Sequence, residues 1–182
     1  MDVQTIQNLA EKAISEPIYP NPSYPPSSYY RFLRILAAAV QPVYSVELGV
    51  CGGGGSLHLA LGWPTGTVIG VDDANKWPNN VAHVQAHCPN FQFWHMDSIE
   101  AAEEARERGI FSVDILFIDT IHTYERTLAE FEAWKGLLCE GAVVLLDDLF
   151  RARMIEVFNI LPGVKVRLDH LHDEAGFGAI LL

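Results

Sequence analysis

The chain has 182 residues, of which 49% are hydrophobic and 19% are charged, and its net charge at pH 7 is −11. This length and composition predict one globular unit with a full core. The acidic charge argues against nucleic acid as a partner, because a phosphate backbone is held mainly by Lys and Arg. No apolar run is long enough to cross a bilayer, so we expect no membrane partner. The polar N-terminus and three cysteines without metal-ligand spacing predict a cytoplasmic protein.

Residues 1–42 are expected to form an N-terminal cap on residues 43–182. The cap begins with a short amphipathic helix, Ile6–Ile14, and ends with a second helix, Arg31–Val40. The stretch between them, Ile18–Tyr30, is rich in proline and tyrosine, and its prolines predict a semi-rigid loop. Its tyrosines either line a ligand cleft or pack against the edge of the sheet; they include Tyr24, Tyr29 and Tyr30.

From Val43 onward, short apolar runs rich in β-branched residues alternate with helical patterns. The apolar runs predict strands at Val43–Leu48, Thr67–Val71, Phe91–His95, Val113–Ile118, Ala142–Leu146, Val164–Leu168 and Phe177–Leu182. The segments between them predict helices at Ser56–Leu61, Asn79–Cys88, Ser98–Arg108, Tyr124–Leu138 and Arg151–Leu161.

Near-continuous apolar strands separated by helices are typical of a parallel sheet that is covered on both faces. The last two strands are joined only by residues 169–176, too few for a crossover helix, so we expect them to form an antiparallel hairpin. The predicted fold class is therefore α/β. It is a Rossmann-like doubly wound sheet of seven strands, mostly parallel, with an antiparallel C-terminal hairpin strand.

A glycine-rich loop, Glu47-Leu-Gly-Val-Cys-Gly-Gly-Gly-Gly-Ser56, follows the first of these strands and leads into a helix. Glycines allow a tight turn and a close approach of a ligand to the backbone, and the helix N-terminus directs amide groups at that ligand. The G-x-G-x-x-G pattern of dinucleotide-binding turns fails at its second glycine, where Cys51 stands. A nicotinamide-binding turn, and with it an NAD(P)-dependent oxidoreductase, is the alternative interpretation.

The reversed final strand and the spacing Glu47-x-Gly49-x-x-x-Gly53 resemble class I S-adenosylmethionine-dependent methyltransferases, from Val43 to the C-terminus. This resemblance implies S-adenosylmethionine as the cofactor. It also implies that the Glu47 carboxylate meets the ammonium group of the methionine moiety, directly or through water. The implied cofactor-binding residues of the loop are Glu47, Gly49, Cys51, Gly53 and Ser56.

Polar residues at the ends of the next two strands extend the implied cofactor site. Asp72 ends the second strand roughly 20 residues beyond the loop, where a carboxylate can accept hydrogen bonds from ribose hydroxyls. Its neighbour Asp73 is the alternative for that role. Asp97 and Ser98 follow the third strand, where such methyltransferases contact adenine, although Ser98 is equally placed to cap the next helix.

Two acidic motifs, Asp119-Thr-Ile-His122-Thr-Tyr124 and Asp147-Asp148, follow the fourth and fifth strands. They resemble the metal-dependent O-methyltransferases of macrolide or aminocoumarin sugars and of catechols. Three carboxylates at the carboxyl ends of adjacent strands would repel one another unless a cation is present. Hard oxygen ligands suit Mg²⁺ or another divalent cation. We therefore expect Asp119, Asp147 and Asp148 to be metal ligands, with Asp119 also next to the cofactor.

His122 is the predicted general base, and Asp119 is expected to be catalytic with it. A divalent ion lowers the pKa of a coordinated hydroxyl, and a nearby imidazole can then take the proton. The alternative is a histidine that only caps the following helix or satisfies a backbone carbonyl. The expected reaction is O-methylation of a small hydroxylated molecule, a sugar or a phenol. Specificity could also come from a second subunit, so a homodimer is left open as an alternative to a monomer.

Two further alternatives depend on weaker signals. One is a module that binds S-adenosylmethionine without catalysis, against which the acidic residues and His122 argue. The other concerns the polar cluster Asp169-His170-Leu-His172-Asp173, which has the composition of a metal site. Because it falls in the predicted hairpin turn, we interpret its side chains as solvated.

Overall fold

The computed structural model describes residues 1–16 and 28–182. Within these ranges the strands are β1 (Tyr44–Leu48), β2 (Thr67–Asp72), β3 (Phe91–His95), β4 (Val113–Ile118), β5 (Leu138–Asp147), β6 (Val164–Arg167) and β7 (Phe177–Leu181). The α-helices are α1 (Val3–Ser15), α2 (Ser28–Val40), α3 (Gly54–Gly62), α4 (Pro78–His87), α5 (Glu100–Glu107), α6 (Tyr124–Trp134) and α7 (Met154–Ile160). Most of the expected proline-rich loop, including Tyr24, lies outside the described residues.

The strands form one mixed sheet in the order β3-β2-β1-β4-β5-β7-β6. Strands β1 to β5 run parallel, and β7 lies antiparallel between β5 and β6. The predicted parallel sheet with a reversed C-terminal hairpin strand is confirmed. Strands β1 and β4 are neighbours, so the strand order reverses between them. In open α/β sheets, ligands bind outside the carboxyl ends of the strands at such a point.

Helices cover both faces of the sheet, as the apolar strand sequences predict. Successive residues of a strand point to opposite faces, and in β4 Phe117 packs with the cluster under α1 to α4, while Leu116 packs with the cluster under α5 to α7. Phe32 of α2 belongs to the first cluster and Trp134 of α6 to the second. All four side chains are fully buried. The sheet is therefore doubly wound.

The N-terminal helices share the core of the face that they cover. Helix α2 packs along α3, and α1 packs against α2 and β6. The Arg34 guanidinium on α2 donates to the Glu16 carboxylate at 3.0 Å, just after α1. The boundary at residue 42 stays a prediction. None of the described helices is both long and apolar enough to span a membrane.

Several helix boundaries differ from their predictions. Helix α2 begins at Ser28 and not at Arg31, so Tyr29 and Tyr30 belong to the helix and not to the predicted loop.

Two other boundaries, those of α6 and α7, differ for local reasons. The predicted helix Tyr124–Leu138 ends at Trp134, because Leu138 already pairs with the start of β4 as the first residue of β5. Helix α7 begins three residues later than predicted. The two preceding residues, Ala152 and Arg153, have φ angles of 33° and 65°, which a right-handed helix excludes.

Candidate functional site

A cavity of about 320 Å³ lies where β1, β2, β3 and β4 end, beside the reversal of strand order. Its walls also carry Lys76, Thr120, Ile121 and Arg126. Seven residues predicted to bind the cofactor line it: Gly49, Cys51, Asp72, Asp73, Asp97, Ser98 and Asp119. The structure thus brings together residues from four separate loops, and their role in binding stays a prediction.

The glycine loop passes close to the end of β4. Gly49 has a φ of +92°, and a Cβ built on it would lie 2.1 Å from the carbonyl oxygen of Asp119. The backbone is fixed there, because the Gly49 amide donates to the Val71 carbonyl and the Asp119 amide donates to the Leu48 carbonyl, both at 2.8 Å. A residue with a side chain would have to move one of these backbones, so the position requires glycine.

Glu47 lies beneath the loop and does not line the cavity. It is 1% exposed, and its carboxyl accepts a hydrogen bond from the Ser56 hydroxyl at the start of α3. A Cβ on Gly55 would lie 2.0 Å from Glu47 Oε1, so glycine leaves room for this carboxyl. Burial raises the pKa of Glu47 to about 8. Gly53 and Ser56 are also absent from the cavity wall, so contacts of these three residues with a cofactor remain predictions.

We expect the buried Glu47 carboxyl to make the unliganded protein less stable as pH rises. The folded protein keeps a proton on Glu47 between about pH 4.5 and pH 8, whereas the unfolded chain releases it, so stability falls with pH across that range and levels off above it. Across this range the free energy of unfolding should fall by several kcal/mol, and Glu47→Gln should remove that fall. The measurement is urea unfolding at pH 5.5 and pH 8.5. The exposed Glu107→Gln is the control and should keep the wild-type slope, whereas an unchanged slope in Glu47→Gln would contradict the assignment.

Asp72 ties the glycine loop to the end of β2. Its Oδ2 accepts from the Cys51 amide at 2.8 Å and its Oδ1 accepts from the Ala74 amide at 2.9 Å. The neighbouring Asp73 is exposed, and its carbonyl lies 3.1 Å from His95 Nε2. Because each carboxylate oxygen can accept more than one hydrogen bond, these contacts leave a ribose-binding role open to Asp72.

A buried polar network holds several of the cavity-lining residues, and sequence reasoning missed its central residue. Glu130 of α6 is fully buried. Its carboxylate accepts from Ser98 Oγ at 2.5 Å, from Thr120 Oγ1 at 2.9 Å and from Arg126 Nε at 2.9 Å. Arg126 also donates to Asp97 Oδ2 at 2.7 Å. The network joins the loops after β3 and β4 to α6, so it holds Asp97 and Ser98 in place.

The suggested helix-capping role of Ser98 is wrong. Helix α5 begins at Glu100, and the Asp97 carboxylate accepts from the amides of Ile99 and Glu100 at 2.8 and 3.3 Å. The Ser98 hydroxyl is occupied by Glu130 instead. The Arg126 guanidinium and these amides hold the pKa of Asp97 below its usual range.

Two of the three predicted carboxylates, those of Asp119 and Asp148, lie beside one imidazole. His122 Nε2 lies 3.0 Å from Asp148 Oδ2 and 3.6 Å from Asp119 Oδ1. Burial and the charges of Asp147, Glu47 and Asp148 raise the pKa of Asp119 well above its usual value. Burial lowers the pKa of His122, which favours the neutral imidazole that can accept a proton.

His122 neither caps the following helix nor donates to a backbone carbonyl among the described residues, since its Nδ1 has no hydrogen-bond partner and its Nε2 faces Asp148. Thr123 is the N-cap of α6, and its hydroxyl accepts from the Arg126 amide. The φ angle of His122 is +50°, and those of Cys51 and Asp148 are +45° and +55°. Non-glycine residues rarely adopt positive φ, and such conformations cluster at sites where a side chain must be aimed. Here each of the loops after β1, β4 and β5 contains at least one such non-glycine residue with positive φ.

His172 is not the solvated turn residue that the sequence suggested. Its Nδ1 lies 2.9 Å from Asp147 Oδ1, and its ring stacks on Tyr29 with centroids 4.9 Å apart. Tyr29 and Tyr30 are both buried, and Tyr30 stacks on His58. Both tyrosines therefore pack against other side chains. Tyr29 packs beside the acidic cluster, and Tyr30 packs over α3.

The donor set suits a hard divalent cation. Asp119, Asp147 and Asp148 offer carboxylate oxygens, and Asp148 Oδ1 is buried without a hydrogen bond, although Arg151 Nε forms an ion pair with it at 3.0 Å. In residues 1–16 and 28–182, no three His, Cys, Asp or Glu side chains are already gathered as a ligand set. The three carboxylates are instead turned toward His122, His172 and Arg151. Cation binding by the triad stays a prediction.

Comparison with known proteins gives a family match. A family model described as a methyltransferase domain matches residues 46–149, which include the glycine loop, the cavity residues and the acidic cluster. No curated protein matches the sequence significantly.

Solved structures share the fold across nearly the whole chain. An O-methyltransferase from Bacillus cereus, solved with S-adenosylhomocysteine, has 16% identity and a TM-score of 0.71, covering 99% of this chain and 90% of its own. TomG from Streptomyces achromogenes, an O-methyltransferase involved in tomaymycin synthesis and solved with S-adenosylmethionine, has 16% identity and a TM-score of 0.70, covering 100% and 91%. A methyltransferase from Geobacter sulfurreducens has 16% identity and a TM-score of 0.65, covering 98% and 87%.

Proposed function

The chain belongs to this methyltransferase-domain family, and on that basis we propose that it transfers a methyl group from S-adenosylmethionine to a hydroxyl oxygen of a small molecule. The observation that carries the proposal is the position of His122, which contacts Asp119 and Asp148. Asp119 also lines the cavity at the reversal of strand order. A candidate base and a candidate cofactor site therefore share one residue.

The proposed cofactor lies in the cavity at the ends of β1 to β4. Two structures with the same fold were solved with S-adenosylmethionine or S-adenosylhomocysteine. In this chain Asp72 and Asp73 offer carboxylates to a ribose, and Asp97 and Ser98 line the same cavity for the adenine. When bound, S-adenosylmethionine supplies the methyl group, which moves to the acceptor oxygen as the carbon–sulfur bond breaks.

The chain's own residues account for the proton. We assign His122 as the general base, because its pKa is lowered by burial and Asp148 at 3.0 Å orients its ring. With Nε2 donating to Asp148, the neutral imidazole takes the hydroxyl proton at Nδ1, which makes no hydrogen bond to a described residue. The neighbouring carboxylates stabilise the imidazolium that results. Asp119, 3.6 Å from Nε2, links His122 to the cofactor cavity.

We also propose that Asp119, Asp147 and Asp148 hold Mg²⁺ or another divalent cation. The support is the chemistry of the donor set and the raised pKa of Asp119, because burial and the nearby carboxylates disfavour its charged form and a bound cation would offset both. A bound cation would lower the pKa of the acceptor hydroxyl. A metal-free reaction with His122 and Asp148 alone is the alternative, favoured by the direct contact between those two side chains.

The proposed acceptor is a hydroxylated ring compound, a phenol or a sugar. Two large apolar side chains next to the acidic motifs are exposed: Ile121, one residue before His122, and Phe150, two residues after Asp148. Apolar and aromatic surface of this kind suits the face of a small ring. Cytoplasmic location and a homodimer stay predictions.

Calorimetric titration with S-adenosylhomocysteine and with NAD tests the cofactor. We expect the purified protein to bind S-adenosylhomocysteine and not NAD, and Asp72→Asn to weaken the binding. The exposed Asp173→Asn, a similar change at a residue that does not line the cavity, should bind as the wild type does. Binding of NAD without binding of S-adenosylhomocysteine would contradict the proposal and favour the oxidoreductase alternative.

A further inference from the structure

His172 touches the acidic cluster from outside its sequence motifs. It follows the short 3-10 turn Asp169–Leu171 in the connection between β6 and β7. Its Nδ1 lies 2.9 Å from Oδ1 of Asp147, whose side chain is 5% exposed. Because a carboxylate oxygen only accepts, the imidazole donates its Nδ1 proton in this hydrogen bond.

The backbone of His172 is held on both sides of the residue. Its amide donates to the Asp169 carbonyl at 2.8 Å, and its own carbonyl accepts from the Gly176 amide at 2.8 Å. These two hydrogen bonds fix the residue within the connection, so the imidazole starts from a defined position.

The ring of His172 is also held by aromatic packing. Its centroid lies 4.9 Å from that of Tyr29, with 28° between the planes. Tyr29 stacks in turn on Phe177 of β7, with centroids 5.5 Å apart and 30° between the planes. Helix α2 and strand β7 therefore set the orientation of the imidazole, and the imidazole sets that of the Asp147 carboxylate.

We infer that His172 is a positioning residue that orients Asp147 for a divalent cation through their hydrogen bond. The stacking of Tyr29 on the His172 ring keeps the imidazole in the orientation that this hydrogen bond needs. The inference rests on the proposed cation site. Each carboxylate of the Asp147-Asp148 pair then has its own imidazole, His172 for the first and His122 for the second. Hydrogen-bond partners of metal-ligating carboxylates orient those ligands, and their loss typically weakens metal binding about 10–100-fold.

Three variants separate the hydrogen bond from the packing. His172→Ala removes both, His172→Phe keeps an aromatic ring against Tyr29 without a donor, and His172→Asn retains a short donor near the position of Nδ1. The matched control is His170→Ala in the same turn, because His170 is exposed and its nearest charged partner is Glu11 at 3.9 Å. Thermal unfolding and calorimetry with S-adenosylhomocysteine verify that each variant is folded and binds cofactor.

The readout is the affinity for Mn²⁺, measured from the loss of its free electron paramagnetic resonance signal on titration. We expect His172→Ala and His172→Phe to weaken Mn²⁺ binding about 10–100-fold, with His172→Asn and His170→Ala within about threefold of the wild type. S-adenosylhomocysteine should bind equally to all of them.

Two results would overturn the inference in distinguishable ways. If the wild type binds Mn²⁺ and His172→Ala or His172→Phe binds it equally well or better, His172 does not position Asp147, and the proposed cation site stands. If the wild type itself does not bind Mn²⁺, both the cation site and the inference are wrong, while methyl transfer through His122 and Asp148 is retained as the alternative.

Discussion

Replacing His122 should lower kcat by about 10²–10⁴-fold and leave the affinity for S-adenosylhomocysteine nearly unchanged. The imidazole lies 3.0 Å from Asp148 and is absent from the cavity wall, so its loss removes proton transfer rather than cofactor contacts. His122→Asn is the preferred variant, because asparagine tolerates the φ of +50° at this position better than other residues do. The measurement is kcat with a methyl-accepting phenol, together with calorimetry for the cofactor.

The pH dependence of the same variant adds a second readout. As pH approaches the pKa of the acceptor hydroxyl, more of the acceptor is already ionised, so the difference between His122→Asn and the wild type should shrink. His87→Asn, an exposed histidine on α4, is the matched control and should keep the wild-type kcat. A variant at His122 with unchanged kcat would rule out the general base that we propose.

We expect Gly49→Ala to destabilise the protein by about 3 kcal/mol or more and to abolish binding of S-adenosylhomocysteine. The added Cβ would stand 2.1 Å from the backbone oxygen of Asp119, and the φ of +92° is itself unfavourable for alanine. Both backbones directly follow hydrogen-bonded strands and are themselves held by backbone hydrogen bonds, so neither can move cheaply. Urea unfolding gives the stability, and calorimetry gives the affinity.

Gly136→Ala is the control for this substitution. A Cβ on Gly136 would meet nothing within 4 Å, and the residue has no positive φ. Its stability should stay within about 0.5 kcal/mol of the wild type. If Gly49→Ala proved as stable as Gly136→Ala and still bound the cofactor, the close approach of the β1 and β4 loops would not be needed for the site.

The sheet and much of the cavity could be predicted because they follow from local pattern. The central strands β1, β2, β4 and β5 are largely buried on both faces and rich in apolar residues, so they stand out between the helical segments. The carboxyl ends of parallel strands meet at one edge, which places Gly49, Asp72 and Asp119 around one cavity once the strands are assigned.

The contacts that hold the site could not be predicted, because they join residues that are distant in sequence. The Glu130 carboxylate meets Ser98 across 32 positions, and His172 meets Asp147 across 25. A local signal did exist for Glu130, which shares the buried face of α6 with Thr127 and Trp134 at helical spacing. A charged residue on such a face implies buried partners. For His172 the local signal was the composition of residues 169–173, which we interpreted as solvated because they fall in the hairpin turn.

The most direct test of the central claim is methyl transfer from labelled S-adenosylmethionine to a pool of phenols and sugars by metal-stripped protein. We expect no product in the presence of chelator, and turnover when Mg²⁺ or Mn²⁺ is restored. Wild-type turnover that persists at full rate in chelator would contradict the cation role of Asp119, Asp147 and Asp148. Absence of labelled product with every cation would contradict O-methyl transfer to this class of acceptor.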